Sequence, residues 1–141
     1  QTWAWNGLLA CGKPPDWMVH MLGQAVAAYT DATHGHTLSA VSGAYYRLLI
    51  GRSEEAVKKF RQLATAVWDI VPTGKTDKEI ALEGLARMEA WMRELGLAMD
   101  ITACGADASQ LEGMADACPI NESGYVVLTR EDVIEVLRQS L

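Results

Sequence analysis

The sequence runs to 141 residues, 50% of them hydrophobic and 21% charged, enough apolar material for the core of one ordinary domain. Its 12 basic and 18 acidic residues leave a formal net charge of -6 and form no basic cluster, which argues against nucleic-acid binding. No apolar run reaches the roughly 18 residues needed to span a bilayer, and no signal-peptide pattern opens the chain.

Taken in order, the punctuation is helical. The chain opens at Gln1 with Trp3, Ala4, Trp5 and Leu8 already in an apolar periodic segment. This is expected to be a helix over residues 1–10 that enters from upstream sequence, making the chain a single helical domain, 1–141, truncated at its N-terminus. Gly12 with Pro14 and Pro15 stops that helix. A second helix is expected from Pro15 or Asp16 to about Thr30, then a tight connection over residues 31–35. A third runs from His36 or Thr37 to Ile50 and ends at Gly51. Ser53 caps a fourth, with Glu54 and Glu55 in the first turn where they favour the helix dipole. Its apolar stripe is Val57, Phe60, Ala64 and Val67.

Pro72 and Gly74 break the chain, and Thr76 with Glu79 makes a capping box for a fifth helix. That helix carries Ala81, Leu85, Met88, Met92 and Leu95, and Gly96 ends it. Ser109 with Glu112 suggests a short helix over residues 108–117. Tyr125-Val126-Val127-Leu128 reads as an extended connector, and Thr129 with Asp132 opens a last helix. The expected fold class is all-α, a bundle of about seven helices.

The three cysteines, Cys11, Cys104 and Cys118, are sparse and form no CxxC pair, so they read as reduced thiols of a cytoplasmic protein. Cys104 and Cys118 have no His near them in sequence, which disfavours a metal role. Asn121-Glu122-Ser123 matches a glycosylation sequon, a short pattern that arises by chance. Gly74-Lys75-Thr76 resembles the end of a phosphate loop, but that motif needs a glycine where Asp69 stands. Tyr45, Tyr46 and the Met88/Met92 pair fit helix packing better than a ligand pocket.

All three histidines fall between residues 20 and 36: His20, His34 and His36. On one unbroken helix His20 and His34 would stand about 21 Å apart, too far to share an ion. A reversal near residues 31–35 removes that objection. Imidazoles suit iron, zinc or nickel, but two alone make an incomplete site. Spacing leaves two readings open, a metal site or hydrogen-bonded core histidines. His36 is either a third ligand or, the favoured reading, an exposed residue at a helix start.

The run Asp16-Trp17, His20-Met21-Leu22-Gly23 and His34-Gly35-His36-Thr37-Leu38-Ser39-Ala40-Val41 closely resembles the second metal segment of iron-containing (group III) alcohol dehydrogenases, most of all their butanol dehydrogenase-like branch. Asn6-Gly7-Leu8-Leu9 and the stretch Gly124 to Val133 resemble the flanking parts of that family, so the likeness covers nearly the whole chain. The resemblance implies a two-domain enzyme that interconverts primary alcohols and aldehydes. An N-terminal Rossmann-like domain, absent here, would bind NAD or NADP. A C-terminal helical domain would hold Fe²⁺, with Zn²⁺ or another divalent ion as alternatives. By motif match His20 and His34 are two of the four ligands, and the other two, an Asp and a His, would lie upstream of Gln1. The isolated chain would then be inactive, and a homo-oligomer is the common state in the family.

One position departs from the pattern. Where the family usually has a second His four residues after the first ligand, this chain has Gln24. Gln24 is thus the candidate catalytic position, yet a carboxamide does not titrate and cannot relay a proton. Trp17 is the candidate wall of the substrate pocket. Two rival readings stand beside the dehydrogenase one. The first is a free-standing helical module that holds a protein partner. The second is a small metalloprotein using His20, His34 and His36 with a carboxylate such as Asp31.

Overall fold

The computed structural model describes residues 15–141. The expected helix over residues 1–10, its stop at Gly12 and the thiol of Cys11 lie outside the described residues. Among the described residues six α-helices follow one another: α1 (Met18–Thr30), α2 (His34–Arg52), α3 (Glu54–Val67), α4 (Asp77–Glu94), α5 (Leu111–Ala117) and α6 (Arg130–Gln139). A 3-10 turn, Ala108–Gln110, leads into α5. No strand occurs among the described residues. The all-α expectation holds, and residues 125–128 are an extended connector as anticipated.

Three of the six described helix starts carry a local cap signal. The Ser53 hydroxyl accepts the Ala56 N–H, and full capping boxes join Thr76 to Glu79 and Thr129 to Asp132. Gly74 and Gly96 both have φ of 75°, the left-handed conformation that glycine takes without a Cβ clash. At Gly96 this ends α4: the Gly96 and Leu97 amides turn back to the carbonyls of Arg93 and Met92.

Several boundaries and stripe positions differ from expectation, among them the start of α1, which is Met18 and not Pro15 or Asp16. α2 starts at His34, so His34 and His36 sit on the helix and the connection shrinks to residues 31–33. Gly51 lies inside α2, which runs on to Arg52, because Gly51 keeps helical backbone and Ser53 supplies the break. The cap before α5 is Asp107, paired with Gln110, in place of Ser109 with Glu112. Val67 and Leu95 are 56% and 57% exposed, so the buried stripes stop short of the ends of α3 and α4.

α2 is the central element. On one side Val41, Ala44 and Tyr45 pack with Met18, Leu22 and Val26 of α1, with Met114 of α5 and with Val133 and Leu137 of α6. On the other, Ile50 packs with Phe60 of α3 and with Ala81 and Leu85 of α4, while Met88 of the predicted stripe packs against this cluster half-buried. Each such fully buried large side chain contributes about 1.5–3 kcal/mol. Two polar links tie the outer helices to α2. Glu89 of α4, nearly buried, accepts from Arg47 with both oxygens at 2.6 Å. Arg52 at the end of α2 pairs with Asp132 at the start of α6 at 2.6 Å.

The crossing of α3 and α4 depends on Gly84, where an added Cβ would stand 2.5 Å from the Ala64 Cβ and 2.9 Å from its Cα. Backbone cannot step aside as a flexible side chain can, so Gly84→Ala should destabilise the fold by about 1–3 kcal/mol. Gly51 has no neighbour within 4 Å, and Gly51→Ala should stabilise by about 0.5–1 kcal/mol through helix propensity. Urea unfolding midpoints of the two variants should therefore move in opposite directions.

A second expectation concerns acid. Arg52 donates to Asp132 and pulls its carboxyl down to about 2, below the ordinary value of about 3.9. A depressed folded pKa means the contribution is present above pH 4 and is lost as pH falls from about 4 to about 2. Because the pair is partly solvated it is worth about 1 kcal/mol. Asp132→Asn should lower the urea midpoint at pH 7 and lower it much less at pH 2.

Candidate metal centre

The site begins with the N-terminus of α1. Trp17 is the residue before the helix, and its side chain makes no cap. Asp16 acts instead: its Oδ1 accepts the Met18 N–H at 3.0 Å. Both Asp16 oxygens also accept the Tyr45 hydroxyl, at 3.0 and 2.8 Å, which pins the start of α1 to the middle of α2. Burial first, then Asp16, push the Tyr45 phenol well above its usual range, so it stays a proton donor. Gly124 sits over the same carboxylate, with room for no Cβ: the nearest Asp16 atoms would be 2.8 Å away.

At the other end of α1, Asp31 takes a left-handed conformation (φ 55°) and its N–H returns to the Ala27 carbonyl. The chain reverses within three residues and α2 runs back beside α1. Gly23 allows this closeness, because a Cβ there would meet Leu38 Cδ2 at 2.8 Å and Thr37 Oγ1 at 3.2 Å. Thr37 is fully buried and its hydroxyl donates to the His34 carbonyl at 2.9 Å.

The reversal sets His34 against His20. Nε2 of His34 lies 3.1 Å from Nδ1 of His20, and the two rings meet edge to face with centroids 4.6 Å apart. Imidazole binds zinc or similar ions at about 2.0–2.1 Å, so two nitrogens on one ion stand about 2.9 Å apart at a right angle and about 3.4 Å apart at a tetrahedral angle. The observed separation falls between these values, so the pair fits as one edge of a coordination sphere. Both rings are half-buried. Among the described residues no group of three or more His, Cys, Asp or Glu side chains is placed to hold an ion. A complete small metal site from His20, His34, His36 and Asp31 is therefore not formed by these residues.

A family model described as "Fe-containing alcohol dehydrogenase family, C-terminal" matches residues 3–141. The chain belongs to this family. It is 33% identical over 142 residues to the "Probable NADH-dependent butanol dehydrogenase 1" of Bacillus subtilis (strain 168), covering 99% of this chain and 36% of that protein. It is 30% identical over 113 residues to the "NADPH-dependent aldehyde reductase YqhD" of Escherichia coli (strain K12), covering 80% of this chain and 28% of that one. The chain thus spans about a third of the length of the curated relatives it matches. Among solved structures, the fold superposes on E. coli K-12 YqhD with a TM-score of 0.84 at 25% identity, over 99% of this chain and 36% of that one. The NADH-dependent butanol dehydrogenase A of Thermotoga maritima gives a TM-score of 0.83 at 23% identity, again over 99% of this chain and 36% of the other.

Within this alcohol dehydrogenase domain, the remaining candidates take distinct places. Trp17 is 37% exposed, and its ring meets His20 edge-on with centroids 5.6 Å apart. Gln24 is exposed one turn beyond His20, and its Nε2 lies 3.1 Å from His20 Nε2. His36 does not join the His20–His34 pair among the described residues, and it is not simply exposed. It is half-buried, and its Nδ1 accepts the Ala98 N–H at 3.0 Å, while Ser39 donates to the Ala98 carbonyl at 2.7 Å. These bonds moor the segment after α4 against α2. The pairing of Asp16 with Tyr45 has no sequence signal, since the partners are 29 residues apart.

Tyr46 faces an open cleft of about 370 Å³ that is lined also by Val19, Phe60, Leu63 and Met88, with Asp16 and Lys59 among its polar residues. The expectation that the two tyrosines serve packing is met by Tyr45, which is 1% exposed; Tyr46 packs on Phe60 with centroids 5.1 Å apart and borders the cleft as well. Cys104 and Cys118 are buried free thiols, and burial raises both, Cys118 to about 11.

Tyr45→Phe removes a hydrogen bond to a carboxylate, which should cost about 1.5–3 kcal/mol of unfolding free energy. It should also speed amide exchange in the first turn of α1, the turn that carries His20. Unchanged exchange there would mean that Asp16 holds α1 without its anchor.

Proposed function

We propose that this chain is the metal-holding half of a nicotinamide-dependent alcohol dehydrogenase or aldehyde reductase that interconverts primary alcohols and aldehydes. The 3.1 Å approach of His20 Nδ1 and His34 Nε2, from two helices joined by a tight reversal, is the observation that carries this reading. His20 and His34 are two of the metal ligands. The remaining ligands, an Asp and a His, and a Rossmann-like domain for NAD or NADP belong to a segment outside this sequence, which is here read as a truncated C-terminal domain. Names of relatives with NADH and NADPH both occur, so either nicotinamide is compatible with the domain.

A divalent ion held by His20 and His34, Fe²⁺ in our reading, would supply a Lewis acid for the alcohol or aldehyde oxygen, and a nicotinamide would supply or accept the hydride. The residues of this chain supply position. The α1–α2 reversal presents two neutral nitrogens on one edge. Trp17 walls the substrate side one turn before His20. Gln24 stands beside His20 and, having no titratable proton, leaves proton transfer to water or to a group of the other domain. No helix among the described residues is long and apolar enough to cross a membrane; with three sparse cysteines, a cytoplasmic location fits best.

The test is metal content and turnover of the full-length protein beside His20→Ala and His34→Ala. The intact protein should carry one divalent ion per chain. Each variant should lose it, and NAD(P)-dependent alcohol oxidation should fall at least about 100-fold, since the ion supplies several kcal/mol. Variants that keep both ion and turnover would remove the proposed site.

A further inference from the structure

The open cleft beside Tyr46 has no part in the function proposed above. Four helices wall it: Val19 of α1, Tyr46 of α2, Phe60 and Leu63 of α3 and Met88 of α4, with Tyr125 of the connector at one edge. Its volume is about 370 Å³, room for side chains of a neighbouring segment. Covering such an apolar surface is favourable in proportion to its area.

The described chain begins at the rim of this cleft. Asp16 lines it and is fixed there by the Tyr45 hydroxyl, which donates to both carboxylate oxygens. The Pro15 carbonyl accepts the Ser123 hydroxyl at 2.6 Å, so the point where residues 1–14 join is held as well. Residues 1–14 lie outside the described residues, and their sequence carries one charged side chain, Lys13, beside Trp3, Trp5, Leu8 and Leu9. Trp5, Leu8 and Leu9 stand at i, i+3 and i+4, the spacing of one helix face. A helix over residues 3–9 is about 10 Å long. The chain from Leu9 to Pro15 spans at most about 20 Å. The segment is thus apolar, tethered at the rim and within reach of the cleft.

We propose that residues 3–9 dock across this cleft, with the face of Trp5, Leu8 and Leu9 turned to Leu63 and Met88. The segment then ties the start of α1 to α3 and α4. This inference does not depend on the metal reading of His20 and His34.

The test follows thiol labelling in the full-length protein. Met88→Cys places a reporter in the cleft, and its modification is read by peptide mass. The comparison is the same protein carrying Trp5→Ser, Leu8→Ser and Leu9→Ser. Labelling at position 88 should be at least about 10-fold faster in the serine variant, because a polar segment no longer holds the cleft closed. The buried Cys104 should stay protected in both, which separates an opened cleft from an unfolded domain.

Equal rates at position 88 would overturn the proposal. Fast labelling in both proteins would mean an open cleft. Slow labelling in both would mean that another part of the full-length protein covers it, or a second copy where dilution quickens the reaction. A second measurement holds even if the serine variant unfolds: urea midpoints of Trp5→Ala, Leu63→Ala and the double variant. Residues that share one packed cavity are coupled, so the double variant should shift less than the sum of the single shifts. Additive shifts would overturn the docking.

Discussion

The candidate site depends on how closely α1 and α2 can approach. His20 and Gly23 are three residues apart on α1, and His34 and Thr37 are three apart on α2, so the histidine pair and the glycine contact lie about one turn from each other along the same crossing. Gly23 lacks the Cβ that would otherwise press on Leu38 and Thr37. Thr37 spends its hydroxyl on the His34 carbonyl and so needs no polar partner across the crossing. A reversal of only three residues, closed by the left-handed Asp31, leaves the two helices little freedom to slide. The approach of the two helices that carry the imidazoles is thereby set by backbone packing.

Helix starts with a local signature were readable from the sequence because their physics is local. Ser53, Thr76 with Glu79, and Thr129 with Asp132 each bond amides three residues away, and the pattern survives in the one-dimensional string. α2 was misplaced by two or three residues because its first turn has no such signature. Thr33 makes no side-chain cap, and the amides of His36 and Thr37 bond the Thr33 carbonyl. Gly51 misled because glycine stops a helix only where the backbone turns left-handed, as at Gly96, and here it does not.

The histidine pair was legible for a different reason. Spacing alone permitted it without requiring it, and the resemblance to a family selected it. His36 was not legible, since its partner at Ala98 lies 62 residues away in a segment with no motif. The same holds for Asp16, which was quoted as part of a motif but whose bonds to Tyr45 emerge only when α2 lies beside α1. In both cases a polar side chain near the metal segment is absorbed by mooring, His36 to the segment after α4 and Asp16 to the middle of α2. Chemistry-bearing residue types close to a site are thus not all part of it, and hydrogen-bond partners sort them.

On the proposed reading, a two-nitrogen edge on a rigid helix pair has consequences for assembly. The edge is preorganised, so an ion need not order these two ligands. Yet two neutral imidazoles leave the charge of a divalent ion unbalanced and half its coordination to water. Full affinity then requires the carboxylate and the further imidazole from the rest of the protein. Because the ion binds the assembled arrangement more tightly than the separated parts, its binding free energy also stabilises that arrangement. The metal would act as a clamp as well as a reagent, and loss of either histidine would loosen the packing of this helical domain on its neighbour while leaving its own core, built on α2, intact.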